Sequence, residues 1–111
     1  MRSFGRGISK NWRRNLSKLT GWISIARKAG YCIIGQDKLL DYDKKLYLVL
    51  LDESAGKALE RQMNFLSKEK DIPLLRVDGL SQMLAIENCK VLGIKNKAIS
   101  ENLIKIIKGD N

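Results

Sequence analysis

Six consecutive residues constrain this chain most: Leu46 to Leu51, read as LYLVLL, form an apolar run of strand length. A strand with one covered face alternates apolar and polar residues, whereas an unbroken run marks a strand covered on both faces. Such a strand is central in its sheet, and each face of that sheet then needs a layer of helices. At 111 residues the chain is long enough for one such domain, burying roughly two-thirds of its unfolded surface. Its apolar fraction of 44% is that of a globular protein, and no stretch approaches the ~20 apolar residues of a membrane span. A soluble protein without membrane association is expected.

The flanking sequence supplies the layers. Leu19, Trp22, Ile23, Ala26 and Ala29 recur at helical spacing over Ser17 to Ala29, and Gly30 follows as a stop. Tyr31 to Ile34 reads as a short strand, and Gly35 to about Asp43 as a short helix. After the central strand, Ser54 is placed to cap a helix with Ala55, Ala58, Leu59, Gln62, Met63 and Leu66 on one side, ending before Pro73. Leu74 to Val77 is the next strand, Leu80 to Ala85 a brief helix, and Cys89 to Ile94 a fourth strand. Ser100 is placed to cap a last helix carrying Leu103, Ile104 and Ile107. The order predicts an α/β fold: a three-layer α/β/α sandwich with a four-stranded sheet and about five helices. Residues 1–16 read as a basic flexible arm and residues 17–111 as the domain.

Charge is unevenly spread. The formal net charge is +9, of which residues 1–18 contribute +6 through Arg2, Arg6, Lys10, Arg13, Arg14 and Lys18 with no acid among them. A cationic arm on a mildly basic body is the footprint of a polyanion, with nucleic acid ahead of an anionic membrane. Phe4 and Trp12 lie among these charges as candidates for stacking on bases. A solubilising tail is the plain alternative, and the glycines of FGRGISK suit it. An organellar transit peptide fits less well because those glycines interrupt a helix, and no apolar core of an export signal is present. Cys32 and Cys89 both lie in apolar runs and read as buried thiols, so a reducing, cytoplasmic setting is expected.

The inventory of reactive groups is thin. Histidine is absent, which removes the commonest general base and metal ligand. Two lone cysteines supply neither a zinc site nor an activated thiolate, and no phosphate-binding glycine loop follows a strand. Asp52 and Glu53 end the central strand, where α/β sheets bind ligands; ahead of Ser54 they also suit a helix dipole. A binding protein without catalytic activity, cofactor or metal is the expectation.

Gly35 raises a sharper question, since it opens GQDK directly after a strand. Glycine there admits close approach of a ligand to the unpaired N–H groups of a helix start. Gln36, Asp37 and Lys38 add an amide, a carboxylate and a cation, groups that read base edges and neutralise phosphate. A tight turn needing positive φ is the alternative.

The stretch LTGWISIARKAGYCIIGQDKLLDYDKKLYLVLLDESAG resembles the opening of the L-seven-Ae and L-thirty-e superfamily of RNA-binding ribosomal proteins, nearest to its bacterial YlxQ-like branch. That pattern runs helix, A-R-[RK]-A, short strand, G-x-[ED]-x, helix and an apolar strand ending in acids. IPLLRVDGLSQMLAIENCKVLGIKN is similar to the superfamily's second RNA-contacting segment, and the likeness spans about residues 17–108. The resemblance implies a monomeric binder of kink-turn-like or ribosomal RNA, or of the ribosome. Gly35, Gln36, Asp37 and Lys38 would then read sheared G·A pairs, with Lys44 and Lys45 flanking on the backbone side. Ile86, Glu87 and Asn88 would meet a flipped-out base; Arg13 and Arg14, in the arm outside the resemblance, are RNA-binding candidates on their charge alone. Asp37 and Lys38 stand where the strongest kink-turn readers have Asn and Glu, so charge is expected to carry more of the affinity here. A protein-interaction module on the same fold is the alternative, with Trp22, Tyr31 and Tyr42 facing a partner.

Overall fold

The computed structural model describes residues 16–108. The basic arm, with Arg13, Arg14, Phe4 and Trp12, lies outside the described residues. Nine elements follow in the order helix α1 (Leu16–Lys28), strand β1 (Cys32–Ile34), α2 (Gln36–Asp41), β2 (Leu48–Asp52), α3 (Lys57–Lys70), β3 (Leu74–Val77), α4 (Leu80–Leu84), β4 (Val91–Ile94) and α5 (Lys97–Lys108). The strands form one sheet in the order β1-β4-β2-β3. β2 and β3 run parallel, and β4 is antiparallel to both of its neighbours, which sets Cys32, Ile94 and Leu48 in one row across the sheet and Ile34, Leu92 and Leu50 in another.

Every residue of β2 is buried, as the unbroken apolar run requires. Its side chains divide between two cores. Leu48 and Leu50 join Leu92 and Ile94 under α1, α4 and α5, where Leu19, Ile23, Leu80 and Leu103 close that face. Val49 and Leu51 join Ile33 and Val91 under α2 and α3, closed by Leu39, Met63 and Leu66. The sandwich therefore has three layers. Gly93 on β4 allows the fit on the second face, because a Cβ there would collide with the Leu39 side chain. None of the helices among the described residues is long and apolar enough to cross a membrane.

Three local expectations are corrected. Ser54 caps no helix: α3 begins at Lys57 behind Gly56, and the Ser54 hydroxyl turns instead to Asp52. With the helix starting there, Ala58 and Gln62 face solvent while Met63 and Leu66 are buried. Ser100 caps nothing either, since the Asn96 side chain accepts the Ile99 N–H at 2.9 Å and α5 starts at Lys97. Ser100 lies within α5, only 1% exposed, with no hydrogen-bond partner for its hydroxyl. Cys89 precedes β4 rather than opening it.

Candidate nucleic-acid interface

Strand directions decide which loops meet. The carboxyl ends of β1, β2 and β3 and the amino end of β4 share one edge of the sheet. Gly35 leaves β1 at this edge with φ 102° and ψ 147°, a region that essentially only glycine occupies. Its N–H donates to the Val91 carbonyl at 3.3 Å, tying the turn to β4, and its carbonyl accepts the Leu39 N–H at 3.2 Å. Nothing lies within 4 Å of where a Cβ would project, so the backbone is open to an approaching group. The two explanations for this glycine thus coincide: positive φ is required, and open space lies beyond it.

α2 then presents Gln36, Asp37 and Lys38. The Gln36 amide donates to the Gln62 side chain on α3, while Asp37 and Lys38 are exposed. Across from them runs the return from α4 to β4. Together they enclose a cleft of about 370 Å³, with Ile34, Gly35 and Gln36 on one wall and Ile86, Glu87 and Asn88 on the other. Leu59 and Val91 complete the apolar part of its lining, and Lys90 lies beside them. The cleft offers an open backbone wall, an amide, an apolar contact at Ile86 and charges of both signs.

The second wall is held under strain. Ala85 and Asn88 sit at φ 57° and 58°, a left-handed conformation that costs L residues about 1 kcal/mol or more. Two side chains hold the loop there. The Ser81 hydroxyl accepts the Cys89 N–H at 2.8 Å and donates to the Cys89 carbonyl at 3.2 Å, closing the loop at its base. Arg27, in the A-R-K-A segment of α1, donates to the Leu84 carbonyl at 2.6 Å where α4 ends.

Asp52 braces the whole edge. It is buried, and one oxygen accepts the Leu80 N–H at 2.9 Å while the other accepts the Ser54 N–H at 2.9 Å and the Ser54 hydroxyl. Lys90 donates to the Ser54 hydroxyl oxygen at 2.6 Å, extending the network to the cleft. Burial pushes this carboxyl up, but the hydrogen bonds from Ser54 and Leu80, with the Lys90 charge, outweigh it and hold it below its ordinary value. The acid at the end of β2 therefore serves α4, not the helix that follows it in sequence. Burial pushes the Cys32 thiol up to about 11 and raises that of Cys89 as well, so both stay protonated at neutral pH. Among the described residues no group of three His, Cys, Asp or Glu side chains could hold a metal ion.

Of the residues singled out from sequence, Gly35, Gln36, Ile86, Glu87 and Asn88 meet in this cleft, and Asp37 and Lys38 continue from its first wall along α2. Lys44 and Lys45 do not. Lys45 precedes β2 and lines a different pocket at the opposite edge, about 20 Å away along the sheet. Tyr31 is exposed, whereas Tyr42 and Trp22 are half-buried against the two cores. Ser81, Gln62 and the Asp52–Ser54–Lys90 network were not expected from sequence, because each bond joins residues from separate elements or loops.

No family model matches the chain, and no curated protein matches it. Among solved structures, the chain is similar to a protein of unknown function from Bacillus halodurans, with a TM-score of 0.75 and 20% identity, covering 81% of this chain and 96% of that one. At that identity the likeness carries the fold alone.

Proposed function

We propose that this chain is a non-catalytic RNA-binding protein that takes structured RNA, kink-turn-like or ribosomal, at the edge where α2 and the Ile86–Asn88 loop face one another. The reading rests on one juxtaposition: two segments 50 residues apart, each carrying residues suited to RNA, line a single cleft open to solvent. The net charge of +9 supports a polyanionic partner. The apolar contact at Ile86 suits an unstacked base, and the carboxylate of Asp37 accepts from guanine imino and amino groups. Cys89, which lines the cleft, is a buried thiol held protonated and weighs against nucleophilic chemistry at the same edge.

A second reading, a protein-interaction module, has its own observation: Phe65 on α3 is 66% exposed and Leu40 on α2 is 43% exposed. Affinity for a kink-turn RNA and for a plain duplex of equal charge separates the two. RNA binding predicts that Lys38→Ala weakens both RNAs and that Asp37→Ala weakens mainly the kinked one, by about 1–3 kcal/mol. Unchanged affinity for both RNAs in both variants, or loss on Phe65→Ser alone, would favour the interaction module.

A further inference from the structure

Two large apolar side chains stand out on the outer surface of α2 and α3. Phe65 is 66% exposed and Leu40 43%, although the inner faces of the same helices close the second core. Two hydrogen bonds place them relative to one another. Gln36, at the start of α2, donates to Gln62 of α3, and Lys70, at the end of α3, donates to the carbonyl of Tyr42, just past α2, at 2.9 Å. The two helices therefore run side by side in the same direction. Leu40 lies four residues beyond Gln36 and Phe65 three beyond Gln62, so both stand about one turn along, at the same level of the seam.

The charges on this surface are sorted by helix. Residues two positions apart are separated by roughly 200° around a helix, so Asp37 and Asp41 point away from buried Leu39, and Arg61 and Lys68 away from buried Met63 and Leu66. All four are exposed. The ion pair formed among the described residues is Arg76–Glu60, so none of the four is paired with another described residue. Along the seam Asp41 and Lys68 stand at nearly one level, as do Asp37 and Arg61. Lys38 and Glu69 are the exceptions to the sorting: Lys38 lies on the flank of α2 opposite Leu40, and Glu69, two turns after Gln62, lies in the seam.

We propose that this surface pairs with a second copy of the chain about a two-fold axis running along the seam. Such an axis lays α2 of each copy on α3 of the other. Leu40 then meets Phe65 twice, Asp41 meets Lys68 twice and Asp37 meets Arg61 twice, which makes the surface complementary to itself. A partner of one charge sign complements only one of the two helices, and the phosphates of an RNA would meet Asp37, Asp41 and Glu69. The apolar centre is small, which places the dimer among weak and transient interfaces, and the net charge of +9 on each copy opposes it further. Self-association departs from the monomer that the resemblance implies. Asp37 also continues the first wall of the cleft, so RNA bound there competes with the second copy, but the pairing does not rest on that reading.

The test is sedimentation equilibrium of the full chain, freed of nucleic acid, from micromolar to millimolar concentration. The weight-average mass should rise with concentration and level off at that of two chains. Phe65→Ser should abolish the rise without lowering the thermal midpoint, because the ring is exposed. Asp41→Lys alone and Lys68→Glu alone each set like charges opposite one another at two contacts, and each should weaken self-association about tenfold or more. Mixing these two variants should restore the dimer, because each substitution then faces the other and the second contact joins native Asp41 to native Lys68. The mass of one chain throughout, growth past two chains without a plateau, or unchanged self-association in Phe65→Ser overturns the proposal. So does a mixture of the two charge variants that associates no better than either alone. Every outcome is read without RNA, so none bears on RNA binding at the cleft, which the affinities of Lys38→Ala and Asp37→Ala decide separately.

Discussion

Asp52 shows how one buried carboxylate holds three segments in place. Replacing it by Ala leaves the N–H groups of Leu80 and Ser54 without this acceptor; the Leu80 donor is buried, and one buried unsatisfied donor costs about 1–3 kcal/mol. The sign of its pH dependence follows from its lowered value: the folded state binds the proton less readily than the unfolded chain, where an aspartate titrates near ~3.9. Its contribution is therefore complete above that value and is lost as pH falls through the lower folded value. Thermal midpoints measured from pH 6 down to pH 2 should fall below about pH 4 in the wild type and less steeply in Asp52→Asn. Gly35 makes the second prediction at this scale. With φ at 102° and open space beyond it, Gly35→Ala should lower stability by about 1–3 kcal/mol through backbone strain alone, read by denaturant midpoint. A midpoint unchanged from wild type would mean that the turn relaxes to negative φ.

At the scale of elements, the cleft depends on a loop that secondary structure alone does not hold. Ser81→Ala removes both bonds to Cys89 and frees the strained turn at Ala85 and Asn88. Faster amide hydrogen exchange at Cys89 and Ile86 is expected, with the β2 amides unchanged. Exchange that rises equally across the sheet would show that the bond supports global stability instead. The same scale explains what was legible beforehand. LYLVLL announced a central strand because burial on both faces leaves a pattern in consecutive residues, and alternating strand and helix lengths then yielded the sandwich. Ser54 and Ser100 were misread because capping depends on a turn's position to within one or two residues. Gly56 and Asn96 occupy the N-cap positions, leaving one serine to Asp52 and the other without a partner. The Asp52–Leu80 bond, 28 residues long, leaves no local trace at all.

For the whole molecule, strand direction decides which loops meet as much as residue type does. Because β1, β2 and β3 end together where β4 begins, Gly35 and Ile86 meet, and by the same geometry Lys45 is carried to the far edge. Neighbours of Gly35 in sequence thus separate, while distant residues converge. The pairing of Gly35 with Ile86 was expected through resemblance; the exclusion of Lys44 and Lys45 followed only from the register. The most direct test of the account is photo-crosslinking of the full chain to thiouridine-substituted kink-turn RNA, with the joined peptides identified by mass spectrometry. The account predicts crosslinks in both Tyr31–Lys38 and Ile86–Lys90, and their loss together when unlabelled RNA competes. Crosslinks confined to residues 1–15, or to the edge bearing Lys45 and Lys97, with none at either wall of the cleft, would contradict it.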